Sequence, residues 1–209
     1  MKNRHIFFTA TIWTIFLLIG LRIVQLGFRV YSIIITKKII NGTQSSESWK
    51  LIMDGLSIEQ TISNILLVAW IIPFLIWFYI SYKWAQKHSR QHFSFKPSLA
   101  LFSFIIPILN LVAPYKIMNE IWSAENRDPA QEDIGKRLIN TWWFLSIILV
   151  AYSRYLNYNF QNIKELSEFI RAEYYIIIFY GVSIHYFLSM RKLLIMITYE
   201  QNYRDKSVE

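Results

Sequence analysis

Residues 104–122 read FIIPILNLVAPYKIMNEIW. The stretch opens as apolar as a membrane span and closes, over residues 115–122, as an amphipathic helix. Pro107, Asn110 and Pro114 interrupt it at close intervals. Each proline removes a backbone donor and crowds the preceding turn, so a continuous helix is disfavoured. In hydrocarbon the freed carbonyls must find partners in protein or water. From Pro97 to Pro114 there are 18 residues, just enough to cross a bilayer as helix. Two readings follow. Residues 97–114 form either a distorted span buried among its neighbours or a re-entrant segment that enters and leaves on one side.

The charges flanking this stretch separate the two. If residues 97–114 cross, the chain has five spans, and Lys and Arg divide 9 against 11 between the two sides. If they re-enter, there are four full spans, and the division is 14 against 6, or 8 with Arg22 and Arg29. Cytoplasmic loops carry an excess of Lys and Arg, and the re-entrant topology obeys that rule. The preferred architecture is an all-α, polytopic membrane helical bundle with four full spans and one proline-broken, re-entrant segment. Five spans is the alternative.

The rest of the chain supports a single integral membrane domain over residues 1–209. The composition is 54% hydrophobic and 17% aromatic, above the soluble range and arranged in long blocks. These runs do not alternate polar and apolar residues, as a barrel would require. A basic leader with Lys2 and Arg4 precedes the first span, about 6–26, whose helix continues to about Ile35. The leader resembles a signal peptide, but the apolar run is too long and no small-residue cleavage site closes it. Asn41-Gly42 marks a turn, and Ser48–Leu56 reads as a short helix on the membrane surface. The second span covers about 58–82, with Pro73 in its middle predicting a kink. Asp128-Pro129 and Gln131 form an N-cap pattern for a helix whose apolar part spans about 138–155. A short helix is expected at Ile163–Ile170. The last span, about 174–190, stops at Arg191-Lys192.

A proline in an apolar run, then Asn, then Pro-Tyr, then a helix ending Glu-x-Trp and a Trp-Trp pair downstream resembles a bacterial membrane family. That family is catalogued as domain of unknown function 4328. The residues that carry the resemblance are Pro107, Asn110, Pro114, Tyr115, Glu120, Trp122, Trp142 and Trp143, within roughly residues 60–195. Ala113 stands where the pattern has an arginine before Pro-Tyr. The resemblance implies a helical membrane architecture in the bacterial cytoplasmic membrane and no particular chemistry.

With no cysteine, the chain has no disulfide and no thiolate site. Its net charge of +8 lies at the ends of the apolar blocks, a placement that suits anionic lipid headgroups better than nucleic acid. His88 and His92 would share a helix face, yet Lys87 and Arg90 beside them oppose a metal ion. The acidic cluster Glu125, Asp128, Glu132 and Asp133 balances Arg127, Lys136 and Arg137. No phosphate loop or hydrolase motif occurs. No catalytic group, metal or cofactor is therefore expected.

The candidate polar positions are of another kind. Around the broken helix 107–115, Asn110 offers a donor and an acceptor at membrane depth. Tyr115, Glu120 and Trp122 follow, with Glu120 in reach of Lys116 one turn earlier. Trp142 and Trp143 are expected at the headgroup boundary. Arg22, Gln25 and Arg29 share one helix face, as interfacial anchors or as a buried cation pair contacting another helix or an anionic group. His185 is a lone intramembrane histidine, read as an interhelical hydrogen-bonder or a member of a proton relay. Two functions fit these features. One is a structural, regulatory or accessory-subunit protein acting through a protein partner or self-association. The other is a channel or transporter subunit for an ion or small solute that uses residues 107–115.

Overall fold

The computed structural model describes residues 2–104, 106–124, 129–161 and 163–207, and all secondary structure among them is helical. The elements are α1 (Lys2–Ile40), α2 (Ser46–His88), α3 (Pro97–Phe102), α4 (Pro107–Asn110), α5 (Ala113–Ser123), α6 (Pro129–Gln161) and α7 (Leu166–Ser207). Three stretches are long and apolar enough to cross a membrane: Arg4–Ile40, Glu47–His88 and Gln131–Tyr158.

The helices run further than their apolar cores require. The expected surface helix at Ser48–Leu56 is instead the first turns of α2. Ile52 and Leu56 are buried there against Ile35 and Phe169, so tertiary packing holds these turns in line. The helix expected at Ile163–Ile170 is likewise the start of α7. Glu168 accepts hydrogen bonds from the Lys164 and Glu165 amides at 2.8 and 3.4 Å, the reach-back half of a capping box. Those amide bonds hold its carboxyl below the usual carboxylate range. Pro73 does not end α2.

Helix α1 stops at the turn the sequence marks. Gly42 takes φ +69°, the left-handed region that glycine enters without strain. The Thr43 amide then reaches Lys38 O at 2.9 Å and the Gly42 amide reaches Ile39 O at 3.0 Å. This paired closure satisfies the last carbonyls of the helix. The expected N-cap Asp128 lies outside the described residues, as do Glu125 and Arg127.

By internal packing the chain divides into two compact units. The first comprises Met1–Ile15, Val68–Phe144 and Leu188–Glu209; the second comprises Phe16–Leu67 and Leu145–Phe187. In the first unit, α2 presents an aromatic face. Trp70 stacks on Phe74 at 5.2 Å between ring centroids, and Trp77 donates to Thr198 of α7 at 3.1 Å. The broken segment packs on this face. Phe104 meets Phe74 and Phe78 edge-on at 5.7 and 5.5 Å. Helix α5 then buries Ile117, Met118, Ile121 and Trp122. In the second unit, α1, α2 and α7 surround a small apolar cluster, and Leu156 of α6 packs with Ile176 and Tyr180 of α7.

Candidate functional site

Two polar hubs stand out, one in each unit. The first is built on Glu120. Its carboxylate accepts from the Tyr82 hydroxyl at 2.5 Å and from the Ser94 amide at 3.1 Å. Its backbone carbonyl accepts from the Gln91 side chain at 2.8 Å. Tyr82 also reaches the Phe95 carbonyl, and Gln86 donates to that carbonyl at 2.7 Å. The residues before α3 and the middle of α5 are thus tied to one turn of α2. Lys116 does not pair with Glu120 as its spacing suggests; it lies over the Phe95 ring at 5.7 Å. Glu120 instead turns toward donors from α2 and the loop after it.

The neighbouring candidates fill structural roles. Tyr115 donates to Asn140 of α6 at 2.8 Å, and its ring lies 6.4 Å from that of Trp143. Trp122 packs on Gly135, where an added Cβ would fall 1.9 Å from the indole. Trp142 is 1% exposed, so its ring packs inside the protein. Its neighbour Trp143 stays half-buried. Pro107 and Pro114 stand in the first turns of α4 and α5, where a missing donor costs least. Asn110 is half-buried in the last turn of α4.

The second hub is built on Arg29, and it answers the question left open for the α1 cations. Arg29 is buried and donates to Glu173 and Glu59 at 2.8 Å each. It also donates to the Tyr180 hydroxyl at 3.2 Å, and that hydroxyl donates to Glu59. Gln25 donates to Ser63 at 2.6 Å and accepts from Arg22 at 2.7 Å. Helical spacing assembles the group: 22, 25 and 29 on α1, 59 and 63 on α2, 173 and 180 on α7. Arg29 is therefore the buried cation contacting other helices, not an interfacial anchor. Arg22 differs: its guanidinium lies 4.8 Å over the Tyr180 ring, with no carboxylate at ion-pair distance among the described residues.

Beside this hub lies a cavity of about 550 Å³ in the second unit, lined by both arginines and Tyr180. It includes none of residues 107–115. Ligand pockets run to about 300–1,000 Å³, so the space suits a small molecule.

Sequence reading missed Glu59, Glu173 and Tyr180 as partners of Arg29, Tyr82 as the partner of Glu120, and Gly135 beneath Trp122. A lone acid at the edge of an apolar run was the available signal for the two glutamates. The histidines hold no metal arrangement. Helix α2 ends at His88, so His92 does not share its face. His88 donates to the Trp84 carbonyl at 2.9 Å, and no metal-ligand cluster occurs among the described residues. His185 is exposed on α7.

No curated protein and no solved structure matches the chain. A family model does, over residues 56–198, which takes in Glu59, Glu120, the Trp-Trp pair and Glu173 but not Arg22 or Arg29. The broken apolar segment, its Glu-x-Trp helix and the paired tryptophans thus lie together inside that match, and the chain belongs to the family described as domain of unknown function DUF4328.

Proposed function

We propose that this is a multi-pass protein of the bacterial cytoplasmic membrane with a structural, regulatory or accessory-subunit role. It acts through a protein partner or by self-association. In this reading α7 adds a fourth span to the three apolar helices, both termini are cytoplasmic, and residues 97–114 re-enter. The observation that carries it is the Glu120 hub. Glu120 accepts from both Tyr82 of α2 and Ser94 of the loop after it, so α5 is tied back to the part of α2 from which the segment set out. Between those points Phe104 reaches Phe74 and Phe78. Eight residues of α2 separate Tyr82 from Phe74, a depth of about 12 Å at helical rise, far short of the hydrocarbon thickness.

Of the polar groups along and just after 107–115, Tyr115 and Asn119 are engaged inside the first unit. Tyr115 is taken by Asn140, and Asn119 by the Tyr115 carbonyl. These contacts brace the segment, which favours the accessory role over the channel. Exposed Lys83, Lys87, Arg90, Lys96, Lys116, Lys136 and Arg137 supply the contact with anionic lipid headgroups. The role is tested by extracting the full chain in mild detergent and measuring the mass of the complex. A homo-oligomer or a stoichiometric partner is expected. A solitary monomer across detergents and protein concentrations would overturn the reading.

A further inference from the structure

The second unit's cavity has a direction. Its exposed lining residues lie on α2, among them Met53, Gln60, Asn64 and Leu67, and on α6, at Asn157. Its rear wall is buried and contains Arg29 and Tyr180. The mouth therefore opens sideways between α2 and α6. Ile58, Ile62 and Ile65 beside it on α2, with Val150 and Tyr158 on α6, are large apolar side chains facing outward. In a membrane bundle such residues face lipid, so an occupant enters from the bilayer.

The lining also has a sign. Its charged members are Arg22 and Arg29, and it contains no acidic residue. Glu59 and Glu173 balance the two arginines overall, but their carboxylates engage Arg29 from outside the lining. Arg29 is held by both of them. Among the described residues Arg22 meets Gln25 and Tyr180 but no carboxylate at ion-pair distance, so it is the cation better placed to meet a ligand. Leu156, Ile176 and Phe179 give the remaining wall an apolar surface.

We infer that this cavity holds one amphiphile, with an anionic phosphate or carboxylate head at Arg22 and an apolar tail along Leu156, Ile176 and Phe179. A zwitterionic head is disfavoured, because the lining offers no carboxylate to its cation. The inference rests on the chain being a membrane protein and not on the re-entry of residues 97–114.

The test uses the full chain reconstituted with phosphatidylglycerol or phosphatidylcholine, then extracted for intact-complex mass spectrometry. One phosphatidylglycerol per chain should be retained, about tenfold in preference to phosphatidylcholine. Arg22→Gln should lower retention about tenfold. Arg154→Gln, an exposed position outside the lining, should leave it unchanged. Ser153→Trp, which fills the cavity without altering either arginine, should abolish retention and serves if Arg22→Gln fails to fold. Equal retention of the two lipids, or an equal loss in Arg154→Gln, would overturn the site. Displacement of the lipid by millimolar inorganic phosphate would assign the cavity to a free anion and overturn the amphiphile. A chain that washes off membranes in alkaline carbonate would fail the membrane reading itself, a separate outcome.

Discussion

Arg29→Met should be the most damaging single change in the protein, at about 3–5 kcal/mol of stability. The substitution keeps an unbranched apolar stem and removes the guanidinium and its charge. Glu59 and Glu173, each held 2.8 Å from the guanidinium, would then face one another in the interior without a cation. Breaking a buried ion pair from one side is costly because the abandoned charge has nowhere to go. The companion variant Arg29→Met/Glu59→Gln/Glu173→Gln removes all three charges and should regain most of the loss. Thermal melting of the detergent-solubilised chain, followed by fluorescence-detected size exclusion, reads both. If the triple variant melts no higher than Arg29→Met, the damage lies in lost packing and the electrostatic account fails. If Arg29→Met melts with the wild type, the hub carries no weight at all.

Gly135→Ala should be nearly as severe. The added Cβ would lie 1.9 Å from two atoms of the Trp122 indole and 2.5 Å from a third, so one of the two helices must move. Overpacking a filled interior costs about 1–3 kcal/mol, and this clash belongs at the upper end because Trp122 is itself 1% exposed. Separation of α5 from α6 would also pull Tyr115 from Asn140. The compensating variant Gly135→Ala/Trp122→Leu returns the space and should recover part of the loss. The same melting measurement applies. A Gly135→Ala protein as stable as the wild type would mean that α5 does not press against α6 at this point.

The sequence disclosed the elements more readily than their partnerships. The interruptions at Pro107 and Pro114 are visible because proline has a strong local effect, and each opens a new helix. Asn41-Gly42 marked the end of α1 for the same reason, since only a few residues accept positive φ cheaply. Helix lengths were less legible. The polar turns at the start of α2 are held in line by Ile52 and Leu56 against Phe169, a contact between residues more than a hundred positions apart. Helices α1, α2 and α6 contain stretches long and apolar enough to cross a membrane, whereas the apolar run of α7 is interrupted by Arg191-Lys192.

The site was half legible. Arg22, Gln25 and Arg29 declared a shared face through their spacing alone. Which acids met them depended on the packing of α1 against α2 and α7, and no local pattern encodes that. Glu120 shows the opposite failure. Its spacing pointed to Lys116, but an exposed i,i+4 pair is worth only a few tenths of a kcal/mol, and the Tyr82 hydroxyl and Ser94 amide offered better geometry. Trp142 was expected at the headgroup boundary because indoles favour it, and spacing did not disclose that its ring is buried in protein.

The chain's freedom from cysteine allows the proposed re-entry of residues 97–114 to be tested directly in intact cells. Single cysteines at Ser89, before α3, and at Ser123, the last residue of α5, would be challenged with a membrane-impermeant maleimide from each side. Ser167, at the start of α7, serves as the reference for the opposite face. Both Ser89→Cys and Ser123→Cys should react only from the cytoplasmic side, and Ser167→Cys only from outside. Labelling of Ser89→Cys and Ser123→Cys from opposite sides would make residues 97–114 a complete crossing and contradict the account at its centre.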